Sequence, residues 1–159
     1  MHWDAAYRDG GTEGVSWFEH DPAVSMALVG LLAPDRSTAV VDVGGGASFL
    51  VDRLVAAGYG DVSVLDVSAL ALAESRRRLA ATTAVHWLEE DVLEWRPGRR
   101  YGLWHDRAVF HFLTDDASRA RYLRTLAEAL VPGGAVVVGT FDADGPEQCS
   151  GLPVARYSA

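Results

Sequence analysis

The segment Ala39-Val40-Val41-Asp42-Val43-Gly44-Gly45-Gly46 fixes most of what this chain can become. A β-branched run that is apolar at nearly every position suits a strand buried on both faces. Such strands sit in parallel sheets covered by helices on either side. Three consecutive glycines then end the strand in a turn where the absent Cβ lets the backbone bend sharply and approach another group closely. Ser48 to Ala57 follows as a helix, closed by Gly58.

The same alternation continues downstream. Val62 to Asp66 is a second strand, and Ser68 caps a helix running through Leu72, Arg76 and Leu79. Val85 to Leu88 is a third strand, ending at Glu89-Glu90-Asp91, and Tyr101 to His105 a fourth. Asp115 or Asp116 caps a long helix whose apolar face is Tyr122, Leu123, Leu126 and Leu130. The turn Pro132-Gly133-Gly134 precedes a fifth strand, Ala135 to Phe141. Upstream, Asp21-Pro22 opens a helix through Met26, Val29 and Leu32 that Pro34 stops. The pattern predicts an α/β fold, a three-layer αβα doubly wound, mainly parallel sheet of about five strands. One domain is expected over residues 1–159, with an irregular N-terminal segment at 1–20 and a loop-like tail at 142–159.

Charge and cysteine usage narrow the function classes. Lys plus Arg number 14 and Asp plus Glu 22, a net charge of −8. An acidic surface repels phosphate backbones, which argues against nucleic-acid partners. Cys149 has no second cysteine to pair with, which suits a reducing compartment and an inert side chain. Met1-His2-Trp3-Asp4 lacks the cationic and apolar parts of a secretion signal. The longest nearly apolar stretch, Ala23 to Ala33, has 11 residues, whereas a bilayer span needs about 20. A soluble cytoplasmic protein without a membrane partner is expected, and no metal-ligand set is read from the sequence.

In a doubly wound sheet, ligands bind outside the carboxyl ends of the strands where the strand order reverses. Here those ends are acidic: Asp42, Asp66, Glu89-Glu90-Asp91 and His105-Asp106. A row of carboxylates suits a ligand with several donors and some positive charge. Asp66 lies 20 residues after Gly46, the spacing at which an acid meets ribose hydroxyls. A dinucleotide fingerprint would need a third glycine at position 49, which is Phe49. A pyrophosphate would also be repelled by Asp42, whereas a ligand with an ammonium and a sulfonium would be attracted. The pattern therefore favours S-adenosylmethionine (SAM). The alternatives are an NAD-dependent oxidoreductase and a non-catalytic SAM-binding module.

These landmarks, with Leu130-Val131-Pro132-Gly133-Gly134, resemble the class I SAM-dependent methyltransferases of Rossmann-like fold. Residues 40–48 are similar to the family's D-x-G-x-G-x-[GS] motif, Asp66 to the acid ending its second strand, and Asp91 to the acid after its third. Trp3, Tyr7 and Trp17 are similar to the opening segment of small-molecule and protein-lysine methyltransferases. The resemblance implies SAM as cofactor. Gly44, Gly45 and Gly46 would pass under its methionine part, and Asp42 would assist its ammonium. Asp66 would accept the ribose hydroxyls, with Val67 in the same site. Asp91 would accept the adenine amino group, with Val92 beside the ring. His105 would border the reacting methyl, and Trp3 and Tyr7 would close as a lid.

The implied reaction is methyl transfer to a small-molecule or protein nucleophile. A base is needed only if that nucleophile must lose a proton, and the candidates are His105, Asp106 and His111. Each has a structural reading beside it, a packed histidine for His111 and an Asp106–Arg107 ion pair. Tyr101 to Arg107 lacks the Asn- or Asp-Pro-Pro-aromatic run of nucleobase amino methyltransferases, which lowers a DNA substrate. The family sheet usually has seven strands, yet only 18 residues follow Phe141. Residues 135–141 are therefore expected to form an apolar, uncharged edge through which the chain would self-associate.

Overall fold

The computed structural model describes residues 2–10, 18–107 and 109–158; Gly11, Gly14 and Trp17 lie outside them. Strands β1 (Val40–Val43), β2 (Val62–Asp66), β3 (Val85–Glu89), β4 (Tyr101–Arg107) and β5 (Leu130–Gly139) form one sheet. Their order is β3-β2-β1-β4-β5, and every pairing is parallel. The order reverses between β1 and β4, which opens a crevice above their carboxyl ends.

Helices cover both faces. α2 (Ala23–Leu32), α3 (Leu50–Ala56) and α4 (Ala69–Arg78) pack Val29, Leu50, Leu54 and Leu72 against Val40, Val62, Val64 and Leu103. On the other face α5 (Asp116–Ala129) sets Tyr122 and Ala129 against Val41, Val43, Leu65 and Trp104. Successive strand residues thus enter opposite cores, which is why β1 is apolar at nearly every position. No helix among the described residues is long and apolar enough to cross a membrane.

Several elements depart from the sequence reading. The N-terminal segment, expected to be irregular, holds helix α1 (His2–Gly10). Its Trp3 and Tyr7 stand four residues apart and so share a face. Ser68 Oγ ties the helix to the start of α4 by donating to Asp4 Oδ1 at 2.7 Å. In α5 the buried residues are Tyr122, Thr125 and Ala129, while Leu123 is 54% exposed. Leu123 lies about 100° around the helix from Tyr122 and points out of the core.

β5 begins directly after α5 rather than at Ala135. Tyr101 pairs with Leu130 and Leu103 with Ala135, so the Pro132-Gly133-Gly134 turn forms an irregularity inside the ladder. Gly133 there has φ +78°. Phe141 lies beyond the strand. The tail, expected to be loop-like, contains the hairpin β6 (Gln148–Cys149) and β7 (Leu152–Pro153). Its two turn residues, Ser150 and Gly151, have φ 53° and 75°, the positive values a two-residue hairpin turn requires. The tail then docks on the short 3₁₀ turn Phe110–Phe112, Ala155 N–H donating to the His111 carbonyl at 2.7 Å.

Candidate active site

A cavity of about 560 Å³ opens at the carboxyl ends of β1 and β2. Trp3 and Tyr7 of α1 wall one side, and Asp66, Val67, Glu89, Glu90, Asp91 and Val92 another. Val109, Phe112, Leu113 and Cys149 add an apolar flank. A narrower pocket of about 40 Å³ lies beneath α2, lined by Glu19, Ser25, Asp42, Gly45 and His105. Tyr7, Val43, Gly44 and Arg107 line both, so the two spaces meet at the glycine turn.

The turn is tightly enclosed. Gly44 has φ +69°, and a Cβ there would overlap Val109 Cγ2. Gly46 has φ +38°, and its Cβ would stand 2.7 Å from Asp66 Oδ2 and 3.2 Å from the Tyr7 hydroxyl. Arg78, from the run Arg76-Arg77-Arg78, braces the loop after the turn. Its guanidinium donates to the carbonyls of Ala47 and Ser48 at 3.2 and 2.8 Å and pairs with Asp52 at 2.8 Å. It also lies 4.4 Å over the Phe49 ring. The side chain that breaks the dinucleotide fingerprint therefore serves as a packing face for this brace.

The strand-end acids differ in what they meet. Asp66 accepts the Ser68 amide at 2.8 Å and borders the cavity. Burial pushes its carboxyl up to about 6, against the opposing pull of the Ser68 and Gly46 amides. Asp91 accepts the Leu93 amide at 2.8 Å and stays exposed on the cavity rim. Asp42 is nearly inaccessible, with Oδ1 at 2.7 Å from Nδ1 of His105 and Oδ2 over Gly45. His105 Nε2 lies 3.0 Å from Ser25 Oγ of α2. Ser25, which sequence reasoning missed, sits within an uncharged helix and acquires its partner only through packing.

Two of the three candidate bases do not line either space. Asp106 is fully buried and accepts from Tyr122 Oη at 2.6 Å, Val109 N at 2.7 Å and Phe110 N at 3.1 Å. Burial raises its carboxyl to about 6. It thus anchors the turn after β4 and faces three donors rather than a substrate. Its expected ion pair with Arg107 is replaced, since Arg107 donates to Glu19. His111 is fully buried between the Phe112 and Phe141 rings, at 4.3 and 5.0 Å. Its ring nitrogens have no hydrogen-bond partner among the described residues, and burial lowers its pKa. Glu19, Arg107 and Cys149 line the site without having been singled out as site residues, and Glu89 and Glu90 line it with Asp91 as part of the acidic row.

Comparison with known proteins agrees with this fold. The methyltransferase-domain family profile matches residues 40–134. No curated protein sequence matches the chain. Among solved structures, the DhpI–SAM–HEP complex aligns at TM-score 0.70 and 22% identity over 90% of this chain and 64% of that one. The sugar N-methyltransferase KedS8 from Streptoalloteichus aligns at 0.66 and 22%, over 89% of this chain and 54% of that one. The N-methyltransferase NodS from Bradyrhizobium japonicum, with S-adenosylhomocysteine, aligns at 0.71 and 18%, over 86% and 71%. The chain thus spans less than two thirds of the first two.

Proposed function

Because this chain belongs to the SAM-dependent methyltransferase family, we propose that its crevice binds SAM and that it methylates a small-molecule or protein nucleophile. The observation that carries the reading is Asp66, a carboxylate at the end of β2 that borders both the glycine turn and the cavity. It would accept the ribose hydroxyls. Asp91 would take the adenine amino group, with Val67 and Val92 against the ring. Trp3 and Tyr7 of α1 would cover the nucleoside, with Trp3 held edge-on to Phe112 at 4.9 Å. The cavity fits a nucleoside in size, in its apolar flank and in its acidic rim.

SAM supplies an electrophilic methyl group on a sulfonium when bound. The residues of this chain orient the partners and exclude water from them. His105 is the one candidate base that borders the smaller pocket. Two of the similar structures carry the names of N-methyltransferases, which favours a nitrogen nucleophile. The single cysteine suits a reducing compartment such as the cytoplasm.

Thermal denaturation with S-adenosylhomocysteine tests the reading. At 100 times its dissociation constant the ligand should add about 2.7 kcal/mol of stability. A shift with NAD and none with S-adenosylhomocysteine would overturn it.

A further inference from the structure

We propose that Tyr122 of α5, which lines neither space, is a positioning residue for the cofactor: through Asp106 it fixes the turn whose Val109, Phe112 and Leu113 form the apolar flank of the cavity. The inference rests on the reading of the crevice as a SAM site.

Strand alternation sends neighbouring residues of β4 to opposite faces. His105 turns toward α2 and the narrow pocket, whereas Trp104 and Asp106 turn toward α5 and meet Tyr122. The groups themselves set the direction of each hydrogen bond there. An indole N–H only donates, so Trp104 Nε1 gives its hydrogen to Tyr122 Oη at 2.9 Å. The phenol hydrogen is thereby directed to Asp106 Oδ2 at 2.6 Å. Burial, with the charge of Asp106, pushes the Tyr122 hydroxyl above its ordinary pKa, so that hydrogen stays in place. Asp106 also accepts the Val109 amide on Oδ1 at 2.7 Å and the Phe110 amide on Oδ2 at 3.1 Å. One carboxylate thus joins α5 to the start of the turn.

The same turn forms part of the cavity wall. Val109 Cγ2 stands 2.1 Å from where a Cβ on Gly44 would be. Val109, Phe112 and Leu113 line the cavity beside Val43, Gly44 and Asp66. Phe110 packs its ring 4.9 Å from that of Tyr122. A shift of the turn therefore changes the packing on Gly44 and the shape of the cavity together. The other groups facing Asp106 offer no substitute for the phenol. Val43 and Val138, its register neighbours on β1 and β5, are apolar. A charge on His105, across the strand, only lowers its pKa, and His111 on the turn is enclosed by the Phe112 and Phe141 rings. Asparagine would not serve in place of Asp106, because its N–H groups would face backbone amides.

Calorimetry with S-adenosylhomocysteine on Tyr122→Phe and Tyr59→Phe tests this. Both variants lose a buried phenol hydroxyl, but Tyr59 belongs to the opposite core, where it donates to the Ala33 carbonyl at 2.7 Å. Tyr122→Phe should weaken the ligand about 5-fold at pH 7.5 and speed hydrogen exchange at the Val109 and Phe110 amides, and Tyr59→Phe should do neither. The Tyr122 hydrogen bond also lowers the Asp106 pKa, which burial raises to about 6. In an Asp66→Asn background, Tyr122→Phe should therefore move the acid loss of affinity to higher pH. Unchanged affinity or unchanged amide exchange in Tyr122→Phe, an acid loss that does not move, or an equal loss of affinity in Tyr59→Phe overturns the inference and leaves the SAM reading standing. A wild type that binds no S-adenosylhomocysteine overturns the SAM reading, and this inference with it. Should Tyr122→Phe not fold, the Val109 and Phe110 amide resonances of the Asp66→Asn protein decide: they should titrate near pH 6 together with the loss of affinity, and resonances that do not respond there overturn the inference.

Discussion

Asp66→Asn should weaken S-adenosylhomocysteine binding at pH 7.5 and at the same time stabilise the ligand-free protein. Burial lifts the Asp66 carboxyl from 3.8 to about 6, assisted by the charges of Asp42 and Asp4 and opposed by the Ser68 and Gly46 amides. Each pKa unit corresponds to about 1.4 kcal/mol, so holding this group ionised in the fold costs about 3 kcal/mol. The sign follows from proton uptake. A folded pKa above the unfolded one means that folding binds a proton between about pH 4 and 6. Stability from this group is therefore lost as pH rises through that window and stays lost above it. Asparagine keeps an oxygen for the Ser68 amide and carries no charge. The variant should gain up to about 3 kcal/mol at pH 7.5, with a flatter pH profile. Ligand binding should change in the opposite direction. Hydrogen bonds from hydroxyls to a carboxylate contribute about 1.5–3 kcal/mol each, partly replaced by water, so we expect a 10- to 100-fold loss above about pH 6. As the wild-type carboxyl gains its proton below about pH 6, its affinity should fall toward that of the variant, the gap narrowing about 10-fold by pH 5. Calorimetry from pH 5 to 8, beside thermal denaturation of both ligand-free proteins, measures both limbs. Parallel affinity curves that never converge, or a variant no more stable than wild type, would refute the reasoning.

Three other outcomes are expected. Gly44→Ala should abolish detectable S-adenosylhomocysteine binding and destabilise the fold by at least about 1 kcal/mol, because a Cβ at φ +69° is strained and would overlap Val109; tight binding by a well-folded variant would contradict this. His111→Leu removes two buried ring nitrogens without partners and should raise stability by about 1 kcal/mol while leaving ligand affinity unchanged; a weaker ligand would return His111 to the site. Among the described residues the outer side of β5 is unpaired, and Val136 and Val138 there are 43% and 39% exposed, so we expect the chain to associate through this edge, with Val138→Lys raising the monomer fraction in light scattering. A wild type that is monomeric at high micromolar concentration would remove that expectation.

β1 and β2 were legible because each is short, rich in β-branched residues and followed by a glycine turn or a cap. Val62–Asp66 and the caps Ser68 and Asp115 stand where spacing put them. What escaped was set by tertiary contact. Helix α1 has a weak local signal in Trp3 and Tyr7 and is held by Asp4 on Ser68, 64 residues away. The start of β5 was hidden by the Pro132-Gly133-Gly134 turn, which reads as a break and is accommodated as an irregularity beside Gly102. The hairpin turn Ser150-Gly151 was visible as a turn pair, but strands of two residues carry no periodicity. In the site, the acids were found as a row, while Ser25 was not, because a serine 80 residues from His105 has no sequence pattern linking the two.

The row of acids resolves into different roles once donors are counted. Asp106 has three donors from its own fold, one hydroxyl and two amides, so its oxygens are committed and it fixes the turn carrying Val109 over Gly44. Asp42 has one close partner, the His105 ring, and is nearly inaccessible, although it lines the narrow pocket together with His105 and Ser25. Asp66 has backbone amides near it but lies at the cavity wall, and it is left as an under-solvated carboxylate. Its raised pKa reflects this poor solvation by the protein alone. A ligand that brings two hydroxyl donors would supply what the fold withholds, so binding should draw the Asp66 pKa back toward its ordinary value. The same deficit that destabilises the ligand-free protein is then the source of affinity, and removing the charge exchanges one for the other.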